Sequence, residues 1–272
     1  MTEPRVWRRP DAMSIVFIVL GAVVLLFIFA PPLKTVFFSS PGTLWNTLLE
    51  EDVYSSILLT ISAALIATLI GLLLGVPLAY LLARHQFRGK RFLEAIIDVP
   101  IVIPHSAAGV ALLFVFGSNF LCGKFFHSIG LDFFRTLAGV VIAMMFVSVP
   151  FLIDSAKEGF KAVDVRLEKV ARTLGASSWR SFFRISLPLA WRSIFSGSVL
   201  MWARGLSEFG AIVIIAYNAS FLGWNTKALP ILVADRFDFG LDYTRPVAAL
   251  AILISLIAFV ALRSIAYRGE KA

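Results

Sequence analysis

Six apolar runs of about 20 residues or more fix what this chain can become. They fall near 12–31, 54–83, 95–117, 137–155, 190–217 and 246–266. About 20 apolar residues in a helix span the hydrocarbon core of a bilayer. Lipid offers no partner to backbone N–H and C=O groups, so a segment at that depth is a helix or a strand of a closed barrel. These runs are too long for barrel strands and lack their period-two alternation. The expectation is an all-α membrane protein, one domain over 1–272, with six transmembrane helices. Composition agrees: 59% of residues are hydrophobic and only 15% charged, where soluble domains carry about 25% charge.

The first run follows basic residues, as a signal peptide would, but Ala12 to Ala30 is too long for such a segment and no small-x-small site follows. It reads as a retained span. Several spans carry breakers: Gly71, Gly75 and Pro77 in the second, Pro100, Pro104 and Gly109 in the third, Pro150 in the fourth. Such residues kink membrane helices where neighbours or water take up the freed carbonyls.

Lys and Arg placement sets orientation. Arg5, Arg8 and Arg9 precede the first span; Arg84, Arg88, Lys90 and Arg91 follow the second. A long basic loop follows the fourth, and Arg263, Arg268 and Lys271 close the chain. The alternate loops hold fewer, interspersed with acidic residues such as Glu50, Glu51, Asp52, Asp235, Asp238 and Asp242. The expected topology puts both termini and the loop at 156–189 in the cytoplasm, in a multi-pass protein of the cytoplasmic membrane. The net charge of +8 is then topological, and nucleic acid is not needed to explain it.

The chain lacks an energy source of its own. A phosphate-binding loop needs G-x-x-x-x-G-K-[ST]; the nearest stretch, Gly117 to Phe125, has one residue too many between its glycines and Phe125 where a hydroxyl is required. No HExxH, GxSxG or intramembrane Asp pair is present, and the single Cys122 excludes an intrachain disulfide or cysteine metal cluster. No catalytic, cofactor or metal site is expected. His105, after Pro104, is expected to hydrogen-bond a freed carbonyl; a ligand or proton-relay role is the alternative.

Two polar stretches stand out. In Val163 to Ile194, Leu167, Val170, Ala171 and Leu174 share one face of a short helix. Gly175 would end it in a left-handed cap, a second helical run starts at Ser178, and Pro188 marks a turn into the next apolar segment. Such a helix lies on a surface, is solvated, or docks a soluble partner. In the fifth run, WARGLSEFGA places Arg204 and Glu208 at i, i+4 on one helix face. Charges at that depth face a bundle interior or a wet cavity. A structural ion pair and a pore or gate element both remain open. Gly205 and Gly210 would allow close helix approach.

The first stretch resembles the EAA loop of ABC-importer permeases, EAAxxxG followed by nine residues and IxLP. Ala171, Gly175, Ile185, Leu187 and Pro188 match; Lys169 and Val170 stand where the family has Glu and Ala, with Glu168 one place early. The second, R-x-L-x-E-F-G-A, is similar to the signature of sulfate, molybdate and tungstate permeases, with Ser207 for the usual Gly. Thr226-Lys227-Ala228-Leu229-Pro230 looks like that family's T-x-x-LP segment.

The resemblance implies a MetI-like permease fold with a cytoplasmic coupling helix between the fourth and fifth spans. Glu168, Lys169, Ala171, Gly175, Ile185, Leu187 and Pro188 would couple to the ATPase, with Glu168 to Gly175 transmitting its push; Arg204, Glu208, Phe209 and Gly210 would line or gate the path. The implied partners are a second copy of this chain, two cytoplasmic ATPase subunits carrying ATP and Mg, and an outside oxyanion-binding protein. The implied activity is import of molybdate or tungstate by alternating access, with sulfate or thiosulfate as the alternative. A stand-alone channel or an intramembrane enzyme is the rival from another class.

Overall fold

The computed structural model describes residues 11–268, apart from the side chains of Leu121, Arg263 and residues 265–268. Arg5, Arg8, Arg9 and Lys271, used above for orientation, lie outside the described residues or side chains, as do Arg263 and Arg268. Among the described residues the regular elements are helices and one short two-stranded hairpin. Helix α1 (Ala12–Phe37) starts where Asp11 accepts the Ser14 N–H at 3.0 Å, and α2 (Pro41–Leu48) starts on Ser40 with proline in its first turn. The long α3 (Glu51–Arg84) runs unbroken through Gly71, Gly75 and Pro77.

The third apolar run, expected to carry helix breakers, is divided at one of them. It is two helices, α4 (Lys90–Val102) and α5 (His105–Phe116), bent by 114°. Ile103 lies extended (φ −71°, ψ 146°) before Pro104, as steric conflict with a following proline ring requires. After α6 (Leu121–Ser128), α7 (Leu137–Ala162) absorbs Pro150 without a break and begins on Thr136, which accepts the Gly139 N–H.

Next come α8 (Val165–Thr173), α9 (Ser178–Ser181), a π-turn at Phe182–Ser186 and α10 (Leu187–Leu206). Pro188 therefore does not mark a turn. The chain stays helical from Ser178 to Leu206, and the Leu187 N–H reaches back to the Phe182 carbonyl. The widened turn accommodates a proline ring that would clash with a carbonyl four residues back in a regular helix.

The fifth run is also divided. Helix α10 ends at Leu206, and α11 (Gly210–Ile215) restarts after Ser207, Glu208 and Phe209. The strands β1 (Ala219–Phe221) and β2 (Trp224–Thr226) form an antiparallel hairpin turned at Leu222 and Gly223, both at positive φ. Helices α12 (Leu229–Phe237) and α13 (Leu241–Arg268) complete the described residues.

Helices α3, α7 and α10 form the centre. One core cluster joins Ala63, Met144 and Trp202 to Ile212 of α11; a second joins Leu82, Phe160 and Ile194. Small residues set the α7–α10 spacing: a Cβ on Gly197 would sit 2.6 Å from Ser155 Cβ, and one on Gly159 2.5 Å from Ser193 Cβ. By contrast α1 buries none of its side chains. Among the described residues four helices are long and apolar enough to cross a membrane (Ala12–Phe37, Glu51–Arg84, Leu137–Ala162 and Leu241–Leu262), and the bent α4–α5 pair passes the same test jointly. The chain is a multi-pass membrane protein.

Candidate functional site

The breaks in the third and fifth runs meet each other. His105, first residue of α5, lies 2.8 Å through Nδ1 from Oε2 of Glu208. Arg204, in the last turn of α10, reaches the same Oε2 with Nη2 at 3.1 Å and lies 3.0 Å from both ring nitrogens of His105. A guanidinium only donates and a carboxylate only accepts, so the His105 ring stands between a donor and an acceptor. The other oxygen, Oε1, accepts the Ala211 N–H at 2.9 Å.

Glu208 is therefore both the ion-pair partner and a cap for α11, which explains the break: its carboxylate satisfies a backbone donor freed by the restart. Its side chain is 1% exposed, whereas Arg204 and His105 are 27% and 33% exposed. The i, i+4 ion pair forms, but not on one helix face as expected, since Glu208 lies past the end of α10. His105 bonds a carboxylate and not the freed carbonyl expected of it.

Glycine makes the junction possible. A Cβ on Gly210 would lie 2.6 Å from His105 Cβ, and one on Gly109 2.7 Å from the Ala211 carbonyl oxygen. Gly205 has ordinary spacing by comparison, with Met144 Cβ 3.6 Å away. Phe209 is exposed beside the junction.

The short helix α8 has its sequence-expected apolar face turned outward. Leu167, Val170 and Leu174 are 47%, 58% and 83% exposed, and Ala171 is half-buried. Nearby, the exposed Trp179 and Phe183 rings stack with centroids 5.9 Å apart. Gly175 ends the helix at φ +88°, while the Ala176 N–H bonds the Ala171 carbonyl and the Gly175 N–H bonds that of Arg172. This is the left-handed helix end that glycine favours. Lys169 and Pro188 are exposed; Ile185 and Leu187 are half-buried.

Glu168 faces the other way and is the buried residue of α8. It accepts from Tyr80 Oη at 2.9 Å, Arg84 Nε at 2.8 Å and Ser186 Oγ at 2.7 Å. Burial alone would push this carboxyl up, but the bonds from Ser186, Arg84 and Tyr80, with the Arg84 charge, hold it below its ordinary value. Tyr80 and Ser186 are not singled out by the sequence, and Arg84 only as a charge that sets orientation. Ser186 occupies the unspecified place in Ile185-x-Leu187-Pro188, and Tyr80 and Arg84 are spaced i, i+4 at the polar end of α3.

At the other end of α3, Thr226 and Leu229 dock the hairpin. Thr226 Oγ1 shares hydrogen bonds with Ser55 Oγ at 2.8 Å and Ser56 Oγ at 3.3 Å, and the Leu229 N–H donates to Thr60 Oγ1 at 2.8 Å. Arg236 bridges Glu50 and Asp52 at 2.6 and 2.7 Å, and Lys227 pairs with Asp235. Burial works against both cations, yet these carboxylates hold each above its usual value. Among the described residues no group of His, Cys, Asp or Glu side chains is placed to hold a metal ion.

Broken helices pack around the three central ones, α3, α7 and α10. The structure matches the alginate transporter solved with a pentasaccharide-bound periplasmic protein, with TM-score 0.71, 16% identity, and 93% of this chain and 94% of the other covered. It also matches the MetNI methionine ABC transporter, with TM-score 0.61, 15% identity, and 85% and 99% covered. The chain belongs to the family of binding-protein-dependent transport system inner membrane components, whose model matches residues 71–269.

A molybdate/tungstate transport system permease protein from Pyrococcus furiosus is 42% identical over 268 residues, covering 97% of this chain and 99% of that protein. A probable sulfate transport system permease protein from Chlorokybus atmophyticus is 35% identical, with 79% and 74% covered. This is an ABC permease subunit, not itself an enzyme.

Proposed function

We propose that this chain is the membrane subunit of an ATP-driven importer for a tetrahedral oxyanion, molybdate or tungstate. The observation that carries the substrate is the 42% identity to the molybdate/tungstate permease over nearly the whole of both chains. Sulfate is the second reading, supported by the 35% identity to the sulfate permease and ranked below the first because that identity is lower and covers less of both chains.

In this reading the chain crosses the membrane six times, through α1, α3, the α4–α5 pair, α7, the α10–α11 pair and α13. Both termini and α8 are cytoplasmic. Two copies assemble with two ATPase subunits, which bind ATP and Mg, and a binding protein delivers the anion from outside. Helix α8 is the coupling helix: its exposed Leu167, Val170 and Leu174, with Lys169, Ala171 and Gly175 beside them, form the docking face. Ile185, Leu187 and Pro188 shape its return into the bundle. ATP-driven closure of the ATPases pushes α8 and switches the bundle between inward- and outward-open forms. Arg204, Glu208, Phe209 and Gly210, where two broken helices meet, gate the path.

The test is ATP hydrolysis by the purified complex in liposomes with binding protein loaded with molybdate, tungstate or sulfate in turn. Stimulation by molybdate or tungstate is expected; stimulation by sulfate alone would move the assignment to the second reading. A complex that copurifies no ATPase would overturn the ATP-driven reading.

A further inference from the structure

Helix α8 is amphipathic in an unusual sense: its apolar residues face out, and the residue it buries is a carboxylate. Burying a charge is costly unless it is paired and its oxygens are hydrogen-bonded. Glu168 meets both conditions, and its partners come from separate parts of the bundle. Tyr80 and Arg84 belong to α3; Ser186 belongs to the π-turn that leads into α10. Arg84 also donates through Nη2 to the Val163 carbonyl at the end of α7, at 3.1 Å. One carboxylate thus joins α8 to the three central helices.

The surroundings are stiff. Tyr80 lies edge-to-face against Phe160 of α7, with centroids 5.2 Å apart, and against Phe182 of the π-turn at 4.8 Å. A rigid aromatic packing around a charge-assisted cluster transmits displacement in place of absorbing it. The π-turn has its own role here, since it sets Ser186 on the side of the helix that faces Glu168, and such turns recur at functional positions.

We propose that Glu168 is a positioning residue for transport. It ties α8 to α3, α7 and α10, so that a push on the outward face of α8 moves the central helices and the junction at Arg204 that α10 carries. This rests on the reading of α8 as the ATPase-docking helix and narrows the sequence expectation, in which Glu168 to Gly175 together transmit the push. Docking belongs to the exposed residues, transmission to the buried carboxylate.

The experiment compares wild type, Glu168→Gln, Ser186→Ala, Tyr80→Phe and Leu174→Asp as complexes reconstituted with ATPase and molybdate-loaded binding protein. Three quantities are read for each: ATPase subunits retained per permease, ATP hydrolysed, and radiolabelled molybdate taken up. Glu168→Gln is expected to retain the ATPase while uptake per ATP falls about tenfold, the upper range for residues along a coupling network. Ser186→Ala and Tyr80→Phe each remove one donor and keep the packing, so intermediate ratios are expected; they also keep the test open if Glu168→Gln does not fold.

Leu174→Asp is expected to lose the ATPase outright. If Glu168→Gln also loses the ATPase, Glu168 is a docking residue and the proposal is overturned while the docking reading stands. An unchanged uptake-to-ATP ratio in all three inner variants overturns the proposal alone. Full ATPase retention and uptake in Leu174→Asp overturns the docking reading and the proposal with it.

Discussion

His105 Nδ1 and Glu208 Oε2, 103 residues apart in sequence, lie 2.8 Å apart and join the start of α5 to the break between α10 and α11. Each element stops being a regular helix at this contact, and each break frees backbone groups that need partners. A carboxylate that caps α11, binds His105 and neutralises Arg204 meets those needs in a space where water is scarce. Bundle geometry and local charge are therefore fixed by the same side chain.

Neutralising one member of this cluster should cost more than neutralising two. Glu208→Gln leaves Arg204 without its anion, and breaking a buried pair costs about 3–5 kcal/mol. Partial exposure of Arg204 and His105 places the expected loss at the lower end. Glu208→Gln combined with Arg204→Gln should recover part of it. Thermal unfolding of the two variants in detergent, compared with wild type, measures the coupling. Equal destabilisation in both would show that Arg204 and Glu208 are not coupled.

The close approach of α5 and α11 predicts a ranking among glycines. Gly109→Ala and Gly210→Ala would press a methyl against backbone or Cβ atoms at 2.7 and 2.6 Å, and overpacking of this kind costs about 1–3 kcal/mol. Gly71→Ala meets Met201 Cε at 2.5 Å, but a thioether end can swing aside, so its cost should be smaller. Gly21→Ala on α1 meets nothing within 4 Å and should be neutral or slightly stabilising. Melting temperatures of the four variants check the order, which fails if Gly71→Ala is the most damaging.

The apolar runs were legible because length and period are local properties of a sequence. Pro104 likewise announced the α4–α5 bend, since its ring acts on the residue before it. The break at Ser207–Phe209 carried no such marker; it depends on a carboxylate capping α11 with help from His105, a partner on another helix. In α8 the pattern found the apolar face and the Gly175 cap, but not that the opposite side buries a carboxylate. Glu168 and Lys169 are adjacent, and a 100° step around the helix separates a buried anion from an exposed cation. Tyr80, Arg84 and Ser186 gain their meaning from Glu168, and no periodic signal links residues so far apart.

Acid should release α8 from the bundle. The Glu168 carboxyl is held below its ordinary value of 4.5 when folded. Its contribution is then fully present above that ordinary value and is lost as pH falls through the depressed one. The gap in melting temperature between wild type and Glu168→Gln should be constant near neutrality and close only in the acid range below about pH 4. Unfolding scans at stepped pH measure this gap. A gap that narrows between about pH 7 and 5 would assign the effect to another group.

The hairpin at the far end of α3 offers a sharper contrast between two threonines. Thr60 Oγ1 accepts the Leu229 N–H at 2.8 Å while donating to the Ser56 carbonyl at 2.7 Å, so Thr60→Val strands a buried backbone donor, at about 1–3 kcal/mol. Thr226→Val removes a hydroxyl whose neighbour Ser55 can still donate to the Asp52 carbonyl at 3.3 Å, and a net loss of about 1 kcal/mol follows. Thr60→Ser keeps the oxygen and should restore most of the loss. Amide hydrogen exchange at Leu229 and over 219–226 reads both effects directly. Thr60→Val should speed exchange at Leu229 more than Thr226→Val does. The reverse order would mean that the hairpin is held by Ser55 and Ser56, with the Thr60 bond secondary.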